Sequence, residues 1–452
     1  MITDSKWNPK FHVFPQNGGW VNDPNGLCQI NGLYHVFYQY RPDAADGSGR
    51  VFWGHSVSED LLHWEFKGAP IAPDTDLDKN GAYSGSALVE NGVMKLFYTG
   101  NVKLPGDYDY TTAGRLSNTI LVESRDGGAT FTPKKAVMTN ADYPADISCH
   151  IRDPKVWKED GKYYMVLGAR TKADKGEVIL FSSNDTEHWK TEKVLTTKDP
   201  FGYMWECPDL FMLGGRKFLS LCPQGVKADG ILYNNIYQSG YFTVDNGQLQ
   251  DFTEWDRGFD FYAPQSFVDE QGRRLFIGWM GMSDSPFPNP STKVGWQHML
   301  TLPRVLETYE KDGKTKIAQR LLPEIGLLHG AAEEIKVGTD SRPYSCFHAE
   351  IENAGGDFSV RFGDMELHYS QAQGRMALLF TNWGNSIGAG RSGRRAIVGD
   401  VHKLDIVIDV SSAEIFVNDG EEVFTTRIYP ESALPLHTYG KGLSGRIYEL
   451  NV

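Results

Sequence analysis

Three carboxylates far apart in this 452-residue chain, Asp23, Asp153 and Glu206, stand at the head of similar phrases: Asp-Pro-Asn-Gly, Asp-Pro-Lys-Val and Glu-Cys-Pro-Asp. Two carboxyl groups flanking a glycosidic bond are the minimum equipment for hydrolysing it, one as nucleophile or base and the other as proton donor. Glu206 lies among Tyr203, Trp205, Cys207 and Pro208, surroundings of low polarity that are expected to raise its pKa and fit it to donate a proton. Asp23 has Asn22 and Asn25 beside it as donors, which are expected to keep it ionised. That asymmetry assigns Asp23 as nucleophile and Glu206 as acid/base. Plainer readings stand beside it: Asn-Asp-Pro-Asn-Gly is ordinary turn chemistry, and Glu206 has a structural alternative as a buried ion pair with Arg152.

Position separates these readings. A two-strand phrase recurs along the first three hundred residues, beginning at Asp23, Ser84, Asp153, Glu206 and Ala263, each running into a turn glycine and then an apolar strand. Three copies are followed by a second phrase ending in an aromatic, Ser58 to Trp64, Ser124 to Phe131 and Ser183 to Trp189, which reads as the outer hairpin of the same unit. Units of this length suit the four-stranded blades of a propeller, and five copies predict five blades. Equivalent residues of each blade should then open the strand nearest the axis, so the three acids converge at one end of a channel. Proline after Asp23 and after Asp153 biases both to an extended backbone and aims them alike.

Beyond about residue 305 the repeat stops. The segment 306–335 reads as a linker carrying a polar hairpin and a short apolar docking piece. Alternating strands at 358–362, 365–369, 376–380, 404–410, 413–417, 423–428 and 446–452, with a tight Asn418-Asp419-Gly420 turn, predict a β-sandwich over 336–452. The expected fold is therefore all-β: a five-bladed β-propeller over 1–305 followed by a C-terminal β-sandwich.

Composition narrows the partners. With 45 Lys+Arg against 58 Asp+Glu the formal charge is −13, and no basic run exists to displace counterions from a nucleic acid. No stretch of about 18 uncharged apolar residues suggests a membrane span. The first nine residues lack an apolar signal region, and five cysteines without Cys-x-x-Cys spacing suggest neither a disulfide framework nor a zinc site. The expectations are a cytoplasmic protein with no metal or cofactor.

Trp20-Val-Asn-Asp-Pro-Asn-Gly26, Phe37-Tyr-Gln-Tyr40, Trp53-Gly-His55, Tyr83-Ser-Gly-Ser86, Arg152-Asp-Pro-Lys155, Trp205-Glu-Cys-Pro-Asp209 and Phe261-Tyr-Ala-Pro-Gln-Ser-Phe267 together resemble glycoside hydrolase family 32, which comprises invertases, sucrose-6-phosphate hydrolases, levanases and inulinases. The resemblance runs in order from Trp20 to about Arg304, and the trailing sandwich fits as well. It implies a retaining double displacement on β-fructosides, with Asp153 stabilising the transition state through the fructose hydroxyls. It also implies a pocket lined by Asn22, Gln39, Ser84, Arg152 and Tyr262, with Asp209 as a supporting partner near Glu206. Arg152 keeps a structural alternative, and Tyr262 and Trp279 keep one as blade core.

Two departures mark the leaving-group side. After Phe37-Tyr-Gln-Tyr40 the chain reads Arg41-Pro-Asp-Ala-Ala-Asp-Gly-Ser-Gly-Arg50-Val-Phe-Trp53, so one of two usual tryptophans is lost and Trp53 or Phe52 is left to supply the stacking surface. Tyr83 replaces a phenylalanine and adds a hydroxyl. Arg41 and Arg50 raise the further reading that the leaving sugar carries a phosphate, against that of solvated loop arginines. The expected activity is release of fructose from sucrose or short β-fructosides, with sucrose 6-phosphate and fructans as alternative substrates and fructosyl transfer as an alternative outcome. An inverting arabinan or xylan hydrolase and a non-catalytic glycan-binding propeller are the rivals. The sandwich is read as stabilising, carbohydrate-binding or a surface for homo-oligomers.

Overall fold

The computed structural model describes residues 6–382 and 386–452. Among these the chain is nearly all β, its helices being three short 3-10 segments at Pro290–Val294, Pro323–Leu328 and Gln371–Gln373. No helix among the described residues is long and apolar enough to cross a membrane.

Five antiparallel sheets follow one another from Gly19 to Leu321, led by Gly19–Ile30, Ala82–Glu90, Ile147–Glu159, Met204–Leu213 and Tyr262–Val268. Each leading strand turns back through a hairpin that the sequence phrase specifies. Asn31-Gly32, Asn91-Gly92 and Asp160-Gly161 all hold positive φ at both residues, the turn whose twist matches paired strands. The Ser-x-Asp phrases shape the outer connections: Ser58 Oγ and Asp60 Oδ1 accept the backbone N–H groups of Leu61 and His63 at 2.8 Å each, between Phe52–Ser58 and Glu65–Ile71. The five leading strands contact one another in sequence order, and the fifth also contacts the first. Trp296–Gln297 pairs in parallel with Gly19 and Trp20, tying the end of the fifth unit to the start of the first.

The hairpin of Arg304–Lys311 and Lys314–Leu321 pairs with Arg274–Met280 and completes the fifth sheet, so this half of the expected linker is sheet. His329–Glu334 already pairs in the C-terminal part, leaving the 3-10 turn at Pro323–Leu328 as the connection. Two six-stranded sheets form that part, with Phe347, Ile406, Ile415 and Phe424 of one packed on Phe362, Leu367 and Leu378 of the other. Between the two parts lies a buried polar network: His12 contacts Asp409 at 2.7 Å and Glu414 at 3.0 Å, and Arg304 donates to Glu414 at 2.6 Å.

One irregularity recurs in all five leading strands. Register shifts fall between Val21 and Pro24, between Tyr83 and Gly85, opposite Val166 and Gly168 (around Asp153), between Glu206 and Asp209, and between Tyr262 and Gln265. Pro154, Pro208 and Pro264 sit in these gaps and Pro24 at the edge of one, where a residue without an N–H is tolerated. A bulge bends its strand and re-aims a side chain; Asp153, Cys207 and Ala263 accordingly carry φ of 66°, 47° and 47°.

Candidate active site

The bulges carry the acids. Asp23 is only partly exposed, and its carboxylate accepts from Asn22 Nδ2 at 3.0 Å, Ser84 Oγ at 2.5 Å and Gln39 Nε2 at 3.2 Å. Gln39 also donates to Ser84 Oγ, and its Oε1 accepts from Asn22 at 3.0 Å, which fixes all three donors against one another. Asp153 is buried at 3% exposure; its N–H donates to Thr99 Oγ1 at 2.9 Å and its Oδ2 accepts the N–H of Cys207 at 2.9 Å. Glu206, with 16% of its side chain exposed, accepts from Arg152 Nη2 on Oε1, and from Gln224 Nε2 and Tyr262 OH on Oε2, all at 2.7 Å.

Side chains between the acids measure their convergence. Cys207 Sγ lies 3.7 Å from Asp23 Oδ2 and 3.7 Å from Asp153 Oδ2. Arg152 Nε stands 3.9 Å from Asp153 Oδ2 while Nη2 of the same guanidinium holds Glu206. Residues from all five leading sheets, Asp23, Ser84, Asp153, Glu206 and Tyr262, thus surround one point, and like charges brought together there disfavour simultaneous ionisation.

The titration behaviour departs from the expectation for Asp23. Its expected donors are present, Asn22 and Ser84 pulling its pKa down, but burial outweighs them and the net shift is upward, with Glu206 adding to it. Burial likewise pushes Asp153 up to about 7; Arg152 opposes the rise and Glu206 and Asp23 add to it. Burial beside these carboxylates also drives the Cys207 thiol well above its ordinary value, so it remains protonated. The arrangement offers two accessible carboxyl groups, Asp23 and Glu206, with a third buried between their sheets. That is the equipment for displacement at a sugar carbon with proton transfer to the departing oxygen.

Several residues read from the sequence occupy other roles. Trp53 is fully buried, packed against Phe37 and Tyr98, and donates its indole N–H to the Tyr83 carbonyl at 3.0 Å. It supports the wall and offers no stacking face. Asp209 does not meet Glu206: the bulge turns it to Ser266, whose N–H and Oγ both donate at 2.7 Å, with Lys155 at 3.5 Å. Arg50 donates to the Pro73 carbonyl at 3.2 Å and lies over the Phe52 ring, whereas Arg41 reaches Asn22 Oδ1 at 3.4 Å and covers Trp20. Ser84 and Tyr262, 0% and 3% exposed, act on the acids directly. The tight Arg152 to Glu206 pair matches the ion-pair alternative without removing either group from the pocket.

Sequence reading missed Gln224, Thr99 and His150. Gln224 pairs across the ladder with Met204, one step diagonal from Glu206, a neighbour visible only once the strand register is known. All five cysteines are free. Among the described residues one trio with metal-ligand spacing, His348, Glu350 and Asp405, lies in the C-terminal sheets with its ligand atoms within 4.8 Å; both His348 ring nitrogens are already engaged, by His329 and Asp405.

Comparison with known proteins agrees with this geometry. The profile of the Glycosyl hydrolases family 32 N-terminal domain matches residues 12–320, and that of the Glycosyl hydrolases family 32 C terminal matches 347–451. The chain is 37% identical over 443 residues to a sucrose-6-phosphate hydrolase of Bacillus subtilis (strain 168), covering 93% of this chain and 88% of the relative. It is 36% identical over 454 residues to a raffinose invertase of Escherichia coli, covering 94% and 90%. A solved sucrose-6-phosphate hydrolase of Lactobacillus gasseri superposes with a TM-score of 0.88 at 29% identity, covering 100% of this chain and 94% of that one. A Bombyx mori β-fructofuranosidase in complex with sucrose gives 0.82 at 28%, covering 99% and 94%. The chain belongs to glycosyl hydrolase family 32 and is a glycoside hydrolase.

Proposed function

We propose that the protein hydrolyses β-fructosides of the sucrose type with retention, through a covalent fructosyl-enzyme. Asp23 attacks the anomeric carbon while Glu206 protonates the leaving oxygen; Glu206 then takes a proton from water as that water releases fructose. Asp153, between them, accepts fructose hydroxyls as positive charge develops on the ring. The observation that carries this reading is that Asp23 and Glu206 are the partly exposed members of the trio, each held by its own donors, while the buried Asp153 supports from behind.

The cyclic contact order of the leading strands supports a five-bladed propeller, with its boundary to the sandwich inside the turn at Pro323–Leu328. The partner is a small sugar, in keeping with the sucrose complex of the Bombyx mori protein. Five free cysteines favour a reducing compartment, the cytoplasm. A panel of sucrose, sucrose 6-phosphate, raffinose, inulin and levan, assayed for released fructose, tests the reading: fructose release from sucrose or its phosphate supports it, and inertness toward every β-fructoside overturns it.

A further inference from the structure

Outside the candidate active site, one corner of the C-terminal sheets gathers an imidazole and two carboxylates on a single face. His348 and Glu350 stand two apart on the strand Cys346–Asn353, so both project from the same side of it. Phe347, Ala349 and Ile351 project from the other side and fill the interior between the two sheets. Asp405, on the strand Lys403–Asp409, lies directly opposite Glu350 in the antiparallel ladder. Direct opposition brings two side chains to about 5 Å at Cβ, and like charges so placed destabilise a sheet.

Neighbouring cations leave that opposition in place. Lys403 pairs with Asp405 Oδ2 at 3.2 Å and is shared with Asp419 Oδ1 at 2.7 Å. Arg446 faces Glu350 from the strand on its other side, yet the two form no ion pair among the described residues. The half-buried Glu350 carboxylate has neither a hydrogen bond nor an ion pair there.

The imidazole, by contrast, is fixed at both ends. His348 and Asp405 side chains are 3% and 5% exposed, with Nε2 of the ring 3.0 Å from Asp405 Oδ1. His348 Nδ1 stands 3.0 Å from His329 Nε2, and the His329 ring lies flat on Tyr448, centroids 4.0 Å apart at 6°. One ligand atom each from His348, Glu350 and Asp405 falls within 4.8 Å of the other two. Ligand atoms about 2.1 Å from one tetrahedral zinc ion stand roughly 3.3 Å apart, so Nε2 and Oδ1 are already near that spacing. An ion on Nε2 needs the ring proton on Nδ1, where His329 Nε2 is placed to accept it. A groove of about 450 Å³ opens beside Glu350, lined also by Glu334, Glu352 and Arg446, and its excess of carboxylates favours the approach of a cation.

We infer that His348, Glu350 and Asp405 bind one zinc ion, with His329 as the positioning residue and water as the fourth ligand. A set of one imidazole and two carboxylates suits zinc better than magnesium, which prefers oxygen alone. The site shares no residue with the candidate active site, and the inference does not rest on the proposed fructosidase reading.

Calorimetric titration of the full chain, stripped with a chelator and then given zinc chloride or magnesium chloride, tests this whether or not the enzyme cleaves sucrose. One zinc ion per chain is expected to bind, and magnesium more weakly. His329→Phe, which removes only the orienting acceptor, should weaken zinc binding roughly 10- to 100-fold, and His348→Gln or Glu350→Gln by more. Glu350→Gln takes away a carboxylate that holds nothing else and serves if His348→Gln fails to fold. His368, paired with Glu366 at 2.7 Å on the other sheet, is the control, and His368→Gln should bind zinc as wild type does. Zinc should also raise the wild-type Tm and leave that of Glu350→Gln unmoved. No zinc binding by wild type, binding unchanged in Glu350→Gln, or magnesium bound as tightly as zinc overturns the inference.

Discussion

The backbone N–H of Cys207 donates to Asp153 Oδ2 at 2.9 Å, joining the bulge of the fourth leading strand to that of the third. It is a single backbone donor against a large desolvation. The buried carboxyl consequently holds its proton more tightly in the folded protein than in the unfolded chain, with a pKa of about 7 against an ordinary 3.8. When the folded pKa lies above the unfolded one, stability falls as pH rises from about 4 through about 7. Asp153→Asn should escape this loss. Thermal unfolding from pH 4 to 8.5 should show the variant more stable than wild type above pH 7, by on the order of a few degrees, with the difference vanishing near pH 4. Its kcat/KM should fall roughly 10²- to 10³-fold, stability gained where function is lost.

Glu206 and Asp23 should fail in different ways. Glu206→Gln removes the proton donor, and kcat on sucrose should drop about 10²- to 10⁴-fold. An aryl β-fructoside, whose leaving oxygen needs little protonation, should recover the fructosylation step. Asp23→Asn removes the nucleophile, so no leaving group should restore it. Pre-steady-state release of the aryl alcohol distinguishes the two.

His12 should make the junction of the two parts sensitive to alkali. Burial disfavours its charged ring, but hydrogen bonds from the ring to Asp409 and Glu414 outweigh burial and raise the pKa to about 9. A raised histidine contributes stability that is complete below about 6.5 and lost as pH climbs through about 9. The melting temperature of wild type should decline across that window. His12→Gln should start lower and lack this decline, which melting curves at closely spaced pH values measure.

The fold and the three acids were legible because both are written into a repeat. A residue at the head of a phrase in one sheet has its counterpart in the next, so Asp23, Asp153 and Glu206 could be brought together without coordinates. Local adjacency misled where a bulge intervenes. Asp209, three residues from Glu206, is turned to Ser266 and Lys155, and Trp53, beside a departing loop, is sealed between Phe37 and Tyr98. The titration of Asp23 was misjudged because flanking asparagines are visible in a sequence and desolvation is not. His150 escaped notice because its place between Arg115 and Arg152 depends on how the second and third sheets meet, whereas Arg50, conspicuous in the loop, turns away.

The central claim is that Asp23 forms a covalent bond to fructose while Glu206 serves the leaving group. Acid quenching of the enzyme during turnover, followed by digestion and mass spectrometry, reads this directly. A fructosyl adduct on the peptide carrying Asp23 is the expected result, its amount increased in Glu206→Gln supplied with an aryl fructoside. An adduct on another carboxylate, or steady turnover with Asp23 unmodified throughout, would contradict the account.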